Sequence, residues 1–279
     1  PALLHFPMQS LHMERKMEHF INPDLLQRKA RIVVIGAGGT GSHVINGLVQ
    51  LHTALLALGH PGGLHVTAFD DDTVSESNVG RQAFVRSDIG ANKASVLINR
   101  LNQAFGLDWD AYPHRLEICE EGRLRMRPDL VIGCVDNRLA RKAIAKTFDY
   151  GYWMDIGNNQ NDGQVILGEF GERPYVTFRG TTRLRLPTVA DLLPEAVDDK
   201  LDATDDQPSC SLAEALEKQS LFINRAMALH GLNLLWKLFR TARLEAHGVF
   251  VNLATDRTSP LLIGPDTWGR FGYQVKEAA

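Results

Sequence analysis

The apolar residues of this chain fall into short unbroken runs separated by longer stretches at helical spacing. The run Ile32-Val33-Val34-Ile35 puts four β-branched residues in succession, the mark of a buried strand. Similar runs predict strands at 31–35, 64–69, 109–112, 129–134 and 152–156. Between them, apolar spacing predicts helices over 42–58, about 90–105 and 138–148. Strands alternating with helices predict a mostly parallel sheet with helices on both faces. Segments 163–170 and 174–179 read as antiparallel strands, punctuated by Gly163 and Gly171. From Thr182 to Ser211 the chain has prolines, clustered acids and little periodicity, which predicts a long, mobile crossover loop. A helix over 212–240, broken near Gln219, carries an apolar face of Leu221, Met227, Leu232, Leu235 and Phe239. The tail from Arg257 is Pro/Gly-rich and holds Trp268, Phe271 and Tyr273. Residues 1–30 read as a polar, partly helical lead-in, with Pro23 and Asp24 opening a short helix toward Arg28.

Composition narrows the class. In 279 residues, 44% are hydrophobic, enough for a sizeable core. A formal charge of −3 gives no reason to expect nucleic acid or an anionic membrane as partner. No apolar stretch approaches the roughly 18 residues of a membrane span. The three cysteines, Cys119, Cys134 and Cys210, make neither a disulfide framework nor a Cys-x-x-Cys pair, so no zinc site is expected. With no charged-then-apolar signal pattern, the expected location is a reducing cytoplasm.

The chemistry starts after the first strand. Gly36-Ala37-Gly38-Gly39-Thr40-Gly41 is a glycine-rich turn opening a helix, a form that lets backbone N–H groups approach a phosphate. Alone it fits any dinucleotide-binding enzyme. It is followed by Asp70-Asp71-Asp72-Thr73-Val74-Ser75-Glu76-Ser77-Asn78-Val79-Gly80-Arg81-Gln82, then Gly90-Ala91-Asn92-Lys93, then Cys134-Val135-Asp136. In this combination, over roughly 31–236, the chain resembles the ThiF/MoeB family of adenylating enzymes. These activate ubiquitin-like and sulfur-carrier proteins. Within that family it looks most like the ThiF-family members of PRTRC and related bacterial ubiquitin-like operons.

The resemblance implies a Rossmann-like α/β fold with C-terminal antiparallel strands, a single adenylation domain over 31–279 and a crossover loop over about 182–211. It also implies an ATP site with Mg²⁺. Gly36, Gly38, Gly39 and Gly41 would cradle phosphate, and Asp70, at a strand end, would accept the ribose hydroxyls. Asp72 matches the second family aspartate, while Asp71 reads as solvated. Arg81 and Lys93 would stabilise the charge that builds when a carboxylate attacks the α-phosphate. Asn78 and Gln82 would position the phosphates or the loop. Asp136 would hold Mg²⁺, although Asp136 or Asn137 could equally cap the following helix. Cys210 would take the activated acyl group as a thioester for a conjugating-enzyme-like partner. Without that thiol step the adenylate would go to sulfur transfer, as in thiamin and molybdopterin pathways. The family usually forms homodimers, and the apolar face of helix 212–240, with Trp236, is the surface expected to do so.

Two features depart from the family pattern. The interval from Gly41 to Asp70 is longer than usual, with the extra residues near 55–63. The N-terminal Arg-Gln pair, whose arginine reaches the partner subunit's nucleotide, is absent, leaving Arg15, Lys16 or Arg28 as substitutes. Two other classes use the same glycine loop. A nicotinamide-dependent dehydrogenase leaves Arg81, Gln82, Lys93 and Asp136 without a role, and an inactive binding subunit has no use for three intact charged residues.

Overall fold

The computed structural model describes residues 17–116, 126–178, 180–201, 216 and 219–275. Its framework is an eight-stranded sheet. Five strands are parallel: β2 (Ala30–Ile35), β3 (Leu64–Phe69), β4 (Asp110–Tyr112), β5 (Leu130–Gly133) and β6 (Tyr152–Asn158). The antiparallel strands β7 (Asp162–Glu169), β11 (Ala246–Asn252) and β12 (Arg257–Leu262) extend the sheet beyond β6. The order is β12-β11-β7-β6-β5-β2-β3-β4. Two small hairpin-like pairs complete the strands: β1 (His19–Phe20) with β10 (Arg243–Leu244), and β8 (Tyr175–Phe178) with β9 (Thr181–Leu184).

Helices α1 (Gly39–Ala57), α2 (Lys93–Phe105) and α5 (Ile223–Thr241) cover one face of the sheet. Helix α3 (Arg138–Thr147) and the short α4 (Val189–Leu192) cover the other. Strand β6 displays the alternation. Met154 and Ile156 pack toward Gly231 of α5, while Asp155 pairs with Arg141 of α3. The central strands are buried on both faces, so Ile32, Val34, Val66, Val131 and Ile132 show almost no exposed surface. Burying each such side chain contributes on the order of 2 kcal/mol. A short helix, α6 (Pro265–Gly269), seats Trp268 in the core, where its indole N–H donates to His247 Nε2 at 2.8 Å. Residues of the lead-in join the same core through Ile21 and Leu25.

Three expectations change. The crossover is not bare loop over its first half: β9, α4 and two 3-10 turns, Pro194–Val197 and Asp199–Leu201, occupy 181–201. Side chains supply the order that periodicity did not show. Arg185 pairs with Asp191 at 2.9 Å, Thr188 caps α4, and Leu186, Val189 and Leu192 are buried. The break expected near Gln219 is present, since 219–222 are non-helical; 212–215 lie outside the described residues, and beyond the break helix α5 runs over Ile223–Thr241. Its apolar face, expected to seek a partner, packs instead on α1, β6 and β7 of its own chain. Leu221 stands outside that face and is exposed. Arg28 does not reach outward; its guanidinium grips Asp129 with two bonds of 2.7 and 2.6 Å, at the amino end of β5.

Burial holds His247 neutral and lowers its pKa from an ordinary value near 6.5 to about 4. The unfolded chain therefore takes up a proton in that window that the folded chain refuses. The stability contributed by neutral His247 is full above pH 6.5 and is lost as the pH falls toward 4. In urea titrations the advantage of wild type over His247→Gln should shrink as the pH drops from 6.5 to 4.5. A constant difference would contradict this assignment.

Candidate active site

Strand order reverses between β2 and β5, since the chain moves one way through β3 and β4 and the other way to β6. A crevice outside the carboxyl ends of the strands at such a point is the usual ligand position in open α/β sheets. The glycine turn lies in it. Gly36 has φ of +90° and donates its N–H to Phe69 of β3, while Cys134 donates to Ile35 of β2. A Cβ on Gly36 would stand 2.7 Å from the Cys134 carbonyl oxygen, so the turn rests directly on the end of β5. Gly41 closes the turn from the other side, because any side chain there would overlap the Gly36 carbonyl. At Gly38 the position of a side chain meets nothing, so the outer surface of the loop is open.

Gly38 is the N-cap of α1 and no side chain caps this helix, whose first turn therefore presents free N–H groups and the positive end of its dipole. The acids after β3 brace the turn. Asp70 Oδ2 accepts the Ala37 N–H at 2.6 Å and Oδ1 accepts the Asp72 N–H at 2.8 Å. Burial pushes the Asp70 carboxyl up, against these two amides and the Lys93 charge. Asp70 thus fixes the loop, and its remaining lone pairs are what a ribose could use. Asp72 pairs with Lys93 Nζ at 2.8 Å, and Lys93 is the first residue of α2, just inside the Asn92 cap. Asp71 is not merely solvated; Arg115 donates to it at 2.7 Å.

Arg81 is the contrasting cation. Its Nη1 donates to Gln219 Oε1 at 2.8 Å, and its buried Nε has no partner. Burial pulls its pKa down, and no carboxylate among the described residues pairs with it. A part-buried guanidinium with no counter-charge among the described residues is able to receive an anion. Ser42 ties the Arg81 segment to α1, since its hydroxyl accepts the Ala83 N–H at 3.1 Å and donates to the Gly39 carbonyl at 3.1 Å. Gln82 is buried with Oε1 unpartnered. Asn78 serves its own turn, accepting the Ser75 N–H at 2.9 Å.

Asp136 lies just past β5, exposed, with no ion pair among the described residues. The capping alternative resolves in favour of its neighbour: Asn137 accepts the Ala140 N–H at 2.8 Å as the N-cap of α3. Asp136 does not cap the helix; its Oδ1 accepts the Asn137 side-chain N–H at 3.3 Å. Cys134 is core, and burial followed by the Asp155 charge pushes its thiol far up, which removes it as a nucleophile. Cys210, Cys119, Arg15 and Lys16 lie outside the described residues.

Four polar residues at the site escaped sequence reasoning. Thr40 Oγ1 lies 3.1 Å from both Asn158 Oδ1 and Asn224 Oδ1, and Asn224 Nδ2 donates to Gln219 Oε1 at 3.2 Å. Only the expected break near Gln219 hinted at any of them.

The ThiF family profile matches residues 15–168, more than half of the chain, and the chain belongs to the ThiF family. It is 32% identical over 133 residues to the adenylyltransferase and sulfurtransferase UBA4 of Yarrowia lipolytica, covering 47% of this chain and 31% of that protein. It is 28% identical over 168 residues to the NEDD8-activating enzyme E1 catalytic subunit of Dictyostelium discoideum, covering 59% and 35%. The Drosophila melanogaster Nedd8-activating subunit is 40% identical over 82 residues, 29% of this chain and 16% of that one. The matches thus span about a third or less of the curated relatives' length. The crystal structure of E. coli MccB with ATP has the same fold, with a TM-score of 0.55 and 15% identity over 86% of this chain and 65% of that chain. PaaA gives 0.53 and 13% over 84% and 73%.

Because a methyl group at Gly41 would overlap the Gly36 backbone, relief requires moving the turn itself. Gly41→Ala should destabilise the fold by more than about 2 kcal/mol in chemical denaturation. A loss below about 0.5 kcal/mol would refute the packing described here.

Proposed function

We propose that the chain binds ATP with Mg²⁺ in this crevice and activates the C-terminal carboxylate of a ubiquitin-like protein as an acyl-adenylate. The observation that carries the reading is Arg81, a part-buried cation with no carboxylate partner among the described residues, linked to the open N-terminus of α1 through Gln219, Asn224 and Thr40. In the reaction a carboxylate oxygen bonds to the α-phosphorus and the bond to pyrophosphate breaks. The α1 amides and Arg81 receive the phosphate charge, Lys93 adds a second cation steadied by Asp72, and Asp70 keeps the loop in shape. The exposed carboxylate of Asp136, which accepts a side-chain bond from Asn137, suits Mg²⁺, which prefers one or two carboxylates with phosphate oxygens. When bound, the ion neutralises phosphate charge. Family membership and similarity to the NEDD8-activating subunits and UBA4 support this substrate class. Transfer of the acyl group to Cys210 belongs to the same reading.

Calorimetry should find ATP binding that requires Mg²⁺ and that Asp136→Ala weakens. Equal binding with and without the ion would overturn the role of Asp136. Carrier-dependent pyrophosphate–ATP exchange should fall about a hundredfold in Arg81→Ala, the cost of one preorganised charge partner.

The two chemical steps separate at Cys210. Cys210→Ala should keep the exchange reaction and lose a reductant-sensitive adduct with the carrier protein. An adduct that persists in this variant assigns the nucleophile elsewhere.

A further inference from the structure

A hydrogen-bonded chain Thr40–Asn224–Gln219–Arg81, buried at Thr40 and Asn224 and part-buried beyond, joins the glycine loop to the Arg81 guanidinium through residues from the far side of the crossover. Asn224 is the second residue of α5 and is 3% exposed. Its carboxamide touches the loop so closely that a Cβ on Gly39 would stand 2.7 Å from its Oδ1 and 2.8 Å from its Nδ2. The same oxygen takes the Thr40 hydroxyl, and the same nitrogen donates to Gln219 Oε1. That Gln219 oxygen also receives Arg81 Nη1, so both of its lone pairs are in use. Turning the guanidinium away would cost the part-buried Gln219 bond, beside a buried Nε that already has no partner. Packing α5 on α1 needs none of this, since apolar residues would fill the same space without polar groups to satisfy. What the polar chain provides is direction at its end, a charged group with no counter-ion among the described residues.

We propose that Gln219 and Asn224 are positioning residues of the nucleotide site: Asn224 sets the glycine loop, and Gln219 aims Arg81 at the phosphates. The proposal rests on the nucleotide reading above. It makes the return point of the crossover part of the phosphate site, although more than a hundred residues separate it from either partner in sequence.

The test pairs calorimetry of Mg·ATP with thermal melting of the full chain. Gln219→Ala removes the acceptor and should bind Mg·ATP about tenfold more weakly, the loss expected for a hydrogen bond to a charged group. Gln219→Glu offers Arg81 a carboxylate that competes with phosphate. It should weaken Mg·ATP further while raising the melting temperature, because a part-buried cation gains a counter-ion. A merely structural role cannot split the two readouts, since affinity would then rise and fall with stability. Gly39→Ala should lower the melting temperature, and adding Asn224→Ala should restore it by removing the atoms the new methyl meets. A wild-type chain that binds no Mg·ATP overturns the nucleotide reading and the proposal with it. A wild-type chain that binds, alongside Gln219 variants of equal affinity or variants whose affinity follows their stability, overturns the proposal alone. No restoration in the Gly39/Asn224 pair removes Asn224 from it.

Discussion

The backbone contact between Gly36 and Cys134 is the constraint on which the rest of the site depends. Parallel pairing holds Ile35 level with both Phe69 and Gly133, so three strands end together. The chain must then leave β2 without rising over its neighbour, and a left-handed glycine pressed to the Cys134 carbonyl is how it does so. From that fixed point α1 starts at a set angle, its first amides face the crevice, and Asp70 can reach the Ala37 amide. Asp136, two residues beyond Cys134, is brought to the same rim. Shift this contact by the width of a methyl group and every later placement shifts with it.

Charge around the crevice is arranged unevenly. Lys93 and Asp72 neutralise each other, as do Arg115 and Asp71. Arg81 and Asp136 stay uncompensated, one positive and one negative, among the described residues. A triphosphate with a divalent cation has this polarity, and under the proposed function it would meet two groups without an ion pair on a frame of paired ones. Keeping the paired groups neutral limits the repulsion that would otherwise weaken the fold when the site is empty.

The sheet was legible because its signals are local. Runs such as Ile32 to Ile35 can only be buried strands, and β3 occupies the expected 64–69 without adjustment. Lys93 and Arg81 were legible as candidates through the motif, not through periodicity. What escaped depends on distant contacts. Arg28 looked available until Asp129 appeared opposite it, and 185–192 looked unstructured because its order comes from Arg185, Asp191 and Glu169 rather than from apolar spacing. Asn224 reads in sequence as a polar residue in an amphipathic helix. Its meaning comes from Gly39, which is almost two hundred residues earlier and has no side chain.

Helix α1 is 19 residues long and runs on to a turn that His60 pins, with Nδ1 accepting the Gly63 amide and Nε2 reaching the Leu25 carbonyl. The turn at its far end, over 58–63, is remote from the glycine loop. Strand register, not path length, decides where Asp70 arrives, because Phe69 is locked level with Ile35 whatever the chain does in between. Closing a somewhat longer connection costs only a fraction of a kcal/mol. The interval between a phosphate loop and its acidic partner is thus a free variable of this architecture. A search that demands a fixed spacing will miss members whose sites are intact.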